Sequence, residues 1–171
     1  MPFLLHMPNT VICKNVITGE TVAVSKDKLT FRPSAYGVVI KDGHLLLNGF
    51  HEGWLLPGGG AEKGESMTEA LVREIKEETG LTVRHGQLLN LQESFAWPTE
   101  VPDTYFHVLT LHFLCTNPEG EISTDGFASP FEKKYLRVAE WIPFSKLGQL
   151  KIYNAKDPQI LIDMAMRAIN V

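Results

Sequence analysis

The spacing of apolar and polar positions changes period several times along the chain. Alternation marks the runs VICKNV (11–16) and TVAVS (21–25), which flank Thr18-Gly19-Glu20 and predict a small hairpin within residues 11 to 31. Pro33 is expected to break the chain before a stronger pair, Tyr36 to Ile40 and Leu45 to Asn48, joined by the hairpin signal Asp42-Gly43. Phe50 to Trp54 then leads through Leu55-Leu56-Pro57 into three consecutive glycines. Beyond them the period becomes helical. Ser66 with Glu69 has the spacing of a capping box, Gly80 has the place of a left-handed cap, and Leu71, Val72 and Ile75 fill one arc between them. Strands are predicted again at Leu81 to Val83 and Gln87 to Phe95. Tyr105 to Cys115 is apolar enough for a central strand buried on both faces, ending at Asn117-Pro118-Glu119-Gly120. Residues 120 to 134 read as a loop, Tyr135 to Ile142 as a strand and Pro158 to Ile169 as an amphipathic helix.

This is an α/β pattern. At 171 residues, with 44% hydrophobic and 21% charged residues, the chain suits one globular domain. Residues 1–33 are expected to be a β extension of it and residues 34–171 its body. A net charge of −4 gives no reason to expect a nucleic-acid polymer as partner. The two cysteines, Cys13 and Cys115, stand in no close-spaced motif, so neither a disulfide framework nor a zinc site is expected. The opening MPFLLHMP lacks a basic region, and its apolar run is too short for a leader or a membrane span. A cytoplasmic protein without membrane attachment, a monomer or a homodimer, is the expectation.

The chemistry concentrates between Gly58 and Leu81. Glu74, Glu77 and Glu78 stand at i, i+3 and i+4, within about 100° of one helix side. A solvated acidic face would carry the same cluster. Like charges at these spacings destabilise a helix, however, and a hard divalent cation would remove that repulsion. Gly59 to Ser66 approaches the spacing of a phosphate-binding P-loop, but Glu65 stands where the lysine belongs and would repel phosphate.

Five residues separate Gly59 from Glu65 and seven separate Glu65 from Arg73. Glu74-Ile75-Lys76-Glu77-Glu78-Thr79-Gly80-Leu81 follows without a gap. This spacing, with Leu56-Pro57-Gly58-Gly59 before it and Glu140-Trp141 after it, resembles the signature of the Nudix hydrolases. Such a pattern would match a random window about once in 10⁹ trials. The resemblance implies an α/β/α sandwich with a mixed sheet. It implies magnesium, with manganese as alternative, held by Gly59, Glu74, Glu77 and Glu78. Arg73 is then an orienting group, with Glu65 beside it, and Gly60 lies where phosphate approaches the backbone. Glu74, or Glu132 in the later loop, is the candidate base.

The implied reaction is hydrolysis of a nucleoside diphosphate linked to another moiety X, by water activated at the metal. Trp97 and Arg32 are candidate substrate contacts, through stacking and phosphate pairing. The ADP-ribose branch of the family carries a proline after its box, near where Pro98 falls. Pyrophosphatase action on nucleoside triphosphates, including oxidised ones, and a non-catalytic nucleotide sensor are the alternatives. The sensor reading is weakened because all three box acids are present.

Overall fold

The computed structural model describes residues 9–98, 101 and 103–169. The opening segment MPFLLHMP therefore lies outside the described residues. Two compact units form. The first takes Met1–Arg32 and Glu93–Leu109, and the second takes Pro33–Gln92 and Thr110–Val171.

In the first unit, β1 (Thr10–Asn15) and β2 (Thr21–Ser25) form the expected antiparallel hairpin. Its turn uses Gly19 at φ 79°, while the Asn15 side chain accepts from the N–H groups of Ile17 and Thr18. Lys14 and Asn15 also pair in parallel with Ala96 and Trp97, at the end of β7 (Thr82–Trp97).

The second unit is built on β3 (Leu29–Lys41), β4 (His44–Phe50), β5 (Gly53–Leu55), β6 (Gly58–Gly60), β8 (Tyr105–Glu119) and β9 (Leu136–Pro143), with part of β7. Antiparallel pairing joins β3 to β4 and β6, and β4 to β5 and β9. The helices are α1 (Met67–Thr79), α2 (Pro130–Tyr135), α3 (Phe144–Leu147) and α4 (Pro158–Ile169).

Strand alternation divides the interior of this unit in two. Val38, Leu45 and Leu47 join Leu161, Ile162 and Ala165 of α4 in one core. Their chain neighbours Val39 and Leu46 join Leu71 and Ile75 of α1 in the other. A period of two thus sends successive side chains to opposite helices, which makes the α/β/α layering. Helix α1 lies so close to β3 that a Cβ on Gly37 would stand 2.6 Å from Ile75 Cδ1. Among the described residues no helix is long and apolar enough to cross a membrane.

Four expectations need correction. Pro33 does not break the chain but lies inside β3, where its fixed φ suits extended backbone and its carbonyl accepts from Ala61 N–H at 3.0 Å. The two strands expected after the box are one, β7, which passes straight through Gly86. Strand β8 continues through Asn117 and Pro118 to Glu119, and its consecutive buried run covers only residues 112–115. The region 120–134 is not all loop, because α2 begins at Pro130.

Leu46 has no exposed surface in the core beneath α1. Leu46→Ala is expected to lower unfolding stability by about 2–5 kcal/mol, measured by urea titration.

Candidate functional site

The site grows from helix α1, whose ends are fixed locally. Ser66 Oγ accepts from Glu69 N–H at 3.2 Å, and Glu69 Oε2 accepts from Ser66 N–H at 2.8 Å, completing the capping box. At the other end Gly80 adopts φ 76°, and its N–H reaches the Lys76 carbonyl at 3.0 Å. Between these caps Leu71 and Ile75 anchor the helix to the sheet and turn the acids toward the glycine strand β6.

That strand explains why glycine is needed. Register pairs Ala35 with Gly59 and Tyr36 with Gly58. Gly58 has φ 136°, and a Cβ there would lie 2.2 Å from the Ala35 carbonyl oxygen. On Gly59 a Cβ would stand 2.6 Å from the Glu74 carboxylate. One glycine lets two strands approach, and the next leaves room for a carboxylate.

Arg73 gathers the acids. Its Nε and Nη2 each donate to one oxygen of Glu65 at 2.8 Å, a two-armed pair. Nη1 donates to Glu74 Oε1 at 2.9 Å and Glu77 Oε2 at 3.3 Å, and Nη2 also reaches the Gly60 carbonyl at 3.2 Å. The guanidinium holds the Glu65 carboxyl down at about 2, with a further backbone donor helping. Arg73 thus contacts three carboxylates, with Glu65 its main partner and Glu77 its longest contact.

Glu78 is placed differently. It is buried, and its Oε2 accepts from Asn48 Nδ2 at 2.7 Å and from Gly58 N–H at 2.9 Å. Burial pushes its carboxyl well above the ordinary carboxylate value. The Gly58 donor pulls it back, the charges of Glu74 and Glu132 push it further up, and Asn48 pulls it down. Glu74 is likewise raised, first by burial, against the pull of Arg73.

Glu132 is the acid at the third position of an unexpected capping box, at the start of α2. Ser129 Oγ accepts from its N–H at 3.1 Å, while its Oε2 accepts from Ala128 N–H at 2.7 Å and Ser129 N–H at 3.0 Å. It stands near enough to raise both Glu74 and Glu78. The loop before it packs on α1 through Gly126, where a Cβ would meet the Glu77 carbonyl oxygen at 2.5 Å.

The structure thus brings together Gly59, Gly60, Arg73, Glu74, Glu77, Glu78 and Glu132. Arg32 and Trp97 belong to the first unit, where Arg32 lies 5.4 Å over the Phe106 ring. The buried Trp97 Nε1 has no partner among the described residues. Two residues escaped sequence reasoning. Asn48 showed one signal, an amide inside the apolar run of β4. Asn154 showed none. Its side chain donates to the Leu56 carbonyl at 2.9 Å and accepts from Leu56 N–H at 2.8 Å, while its own carbonyl accepts from His112 Nε2 at 3.1 Å. This clamp fixes the strand that leads into the glycines.

No three His, Cys, Asp or Glu side chains among the described residues are grouped to hold a metal ion as they stand. Arg73 engages Glu74 and Glu77, and two donors engage one oxygen of Glu78. The donor set nevertheless fits a hard divalent cation. Its atoms are carboxylate and backbone oxygens, two of its acids are desolvated, and Gly59 leaves the space beside Glu74 that a Cβ would fill.

A family model described as the NUDIX domain matches residues 30–164. The chain belongs to the Nudix family. Nudix relatives include an ADP-ribose pyrophosphatase of Methanocaldococcus jannaschii, 38% identical over 101 residues, covering 56% of this chain and 57% of that protein. An RNA pyrophosphohydrolase of Sphingopyxis alaskensis is 38% identical over 74 residues, 40% of this chain and 44% of that one. The chain spans about half the length of these curated relatives. The crystal structure of a MutT Nudix hydrolase from Burkholderia pseudomallei shares the fold at a TM-score of 0.58. It is 19% identical and covers 79% of this chain and 98% of that one.

Without a cation, a buried Glu78 carboxylate opposes folding. Its folded value lies above the unfolded one, so the penalty is absent below about pH 4.5 and grows as pH rises toward the folded value. Glu78→Gln, whose amide oxygen still accepts from Asn48 and Gly58, is expected to raise the Tm of the metal-free protein. The gain over wild type should be absent below about pH 4.5 and widen as pH rises above it in a thermal melt series, as the sign of the shift requires.

Proposed function

We propose that this chain hydrolyses the diphosphate bond of a nucleoside diphosphate linked to another moiety X, with magnesium, or manganese in its place. The observation that carries this reading is the desolvated pair Glu74 and Glu78, held on α1 against a glycine strand shaped to admit the Glu74 carboxylate. Burying two acids without a cation is unfavourable, and a small polyanion needs such a cation to approach them. The Nudix relatives whose names are pyrophosphatase and pyrophosphohydrolase support the same reaction class.

Glu74, Glu77 and Glu78, with the Gly59 carbonyl, are the groups assigned to hold the metal. When bound, the ion lowers the pKa of a water and offsets charge on the phosphate oxygens. Arg73 fixes the orientation of Glu74 and Glu77 and links them to Glu65 and the Gly60 carbonyl. Gly60, without a side chain beside α1, is assigned as the place where a phosphate approaches the backbone. Glu132, adjacent in charge to Glu74 and Glu78, is assigned to take the proton of the attacking water at its second oxygen, Oε1. The buried thiols Cys13 and Cys115 suit a reducing, cytoplasmic setting.

A panel of ADP-ribose, nucleotide sugars and nucleoside triphosphates, scored by chromatography for magnesium-dependent appearance of the nucleoside monophosphate, tests the reading. Turnover is expected on the diphosphate-linked compounds and is abolished by chelator. Glu77→Gln should lower kcat/KM by about 10²–10³-fold. Turnover on the triphosphates alone would replace the substrate class, and none on any compound would favour a sensor.

Glu132→Gln separates chemistry from capping, since glutamine also completes a capping box. The expected result is an unchanged Tm with kcat reduced by about 10²–10⁴-fold, read by steady-state kinetics and a thermal melt. An unchanged kcat would leave Glu132 as a cap alone.

A further inference from the structure

Asn48 sits where the alternation of β4 calls for an apolar residue. Leu46, two positions before it, faces α1 in the core, and Asn48 follows on the same side. It has no exposed surface, and register sets it opposite Ala139 of β9 and Leu55 of β5. Its Nδ2 donates to Glu78 Oε2, and its Oδ1 has no partner among the described residues. A buried amide with one unpartnered acceptor is unfavourable compared with a well-packed leucine. Structure alone therefore gives no reason for it. What the amide adds is a donor to one oxygen of one carboxylate.

That oxygen is already met by the Gly58 N–H at 2.9 Å. Together the two donors saturate Oε2 from the interior. Turning the amide over would set Oδ1 against Oε2, acceptor against acceptor, so the orientation of Asn48 is fixed by Glu78. Glu78 Oε1 accepts no hydrogen bond from a described residue. We infer that Asn48 is a positioning residue of the acidic site, which fixes Oε2 as the inward oxygen and leaves Oε1 as the oxygen offered to a divalent cation. The inference rests on the metal reading given above and adds the residue that aims one of its ligands. Groups behind a ligating carboxylate commonly change metal affinity by about 10- to 100-fold when removed.

Manganese titration of the whole chain, following the free ion by electron paramagnetic resonance, tests this without any substrate. Asn48→Leu removes the donor at similar volume, and Asn48→Asp keeps the shape while replacing donor by acceptor. Both are expected to weaken manganese binding by about 10- to 100-fold. Ile162→Val, in the opposite core beneath α4, serves as control. It should lower thermal stability and leave manganese binding at the wild-type value. Should Asn48→Leu fail to fold, the shape-preserving Asn48→Asp carries the test. Folded variants that bind manganese within about threefold of wild type, a difference of less than 1 kcal/mol, would overturn the role of Asn48 alone. A wild-type chain that binds no manganese would overturn the metal reading and this inference with it.

Discussion

Three carboxylates share one guanidinium in this molecule, and the rest of the site follows from that arrangement. Glu65, Glu74 and Glu77 all lie within ion-pair distance of Arg73, while Glu78 stands behind them with neutral donors only. Acids this dense would drive a helix end apart in water. Here the forked pair with Glu65 ties the loop before α1 to the helix itself. The same cation then steadies two acids one turn apart. The Gly60 carbonyl joins the set, so the glycine strand, the loop and the helix are bound to one side chain.

The two cores give this assembly its rigidity. One side of the sheet holds α1 through Leu71 and Ile75, and the other holds α4 through Leu161 and Ile162. Because alternate residues of β3 and β4 serve opposite cores, a shift of one residue would send each side chain into the other core and disrupt the packing of both. Register is therefore strongly specified. Asn48 inherits that register, and it meets Glu78 only because Leu46 and Leu47 are each on the correct side.

Much of this was legible in the residues. The caps of α1 are local chemistry, and the spacing from Gly59 to Leu81 is local geometry, so both survive without tertiary information. The Asp42-Gly43 hairpin and α4 belong to the same class. Strand ends did not, because Pro33 and Asn117-Pro118 act as breakers only where nothing pairs with them. Helix α2 was missed although Ser129-Pro130-Phe131-Glu132 carries its capping box, since six residues are too few to show an apolar period. The partners of Glu78 and Leu56 are distant pairings, which periodicity cannot reveal. Arg73 and Glu77 are four positions apart on α1, a spacing visible in the residues, whereas the stronger partner Glu65 precedes the helix and only the resemblance set it beside Arg73.

The Asn154 clamp has a consequence for how the protein is made. Asn154 and Leu56 are 98 positions apart, and the two hydrogen bonds between them set the approach to the glycine strand. During synthesis α1 can form as soon as its own residues emerge. The glycine strand waits until residue 154 has left the ribosome, because that side chain supplies the partners of the Leu56 amide and carbonyl. A nascent chain therefore carries its acids before it carries the frame that aims them.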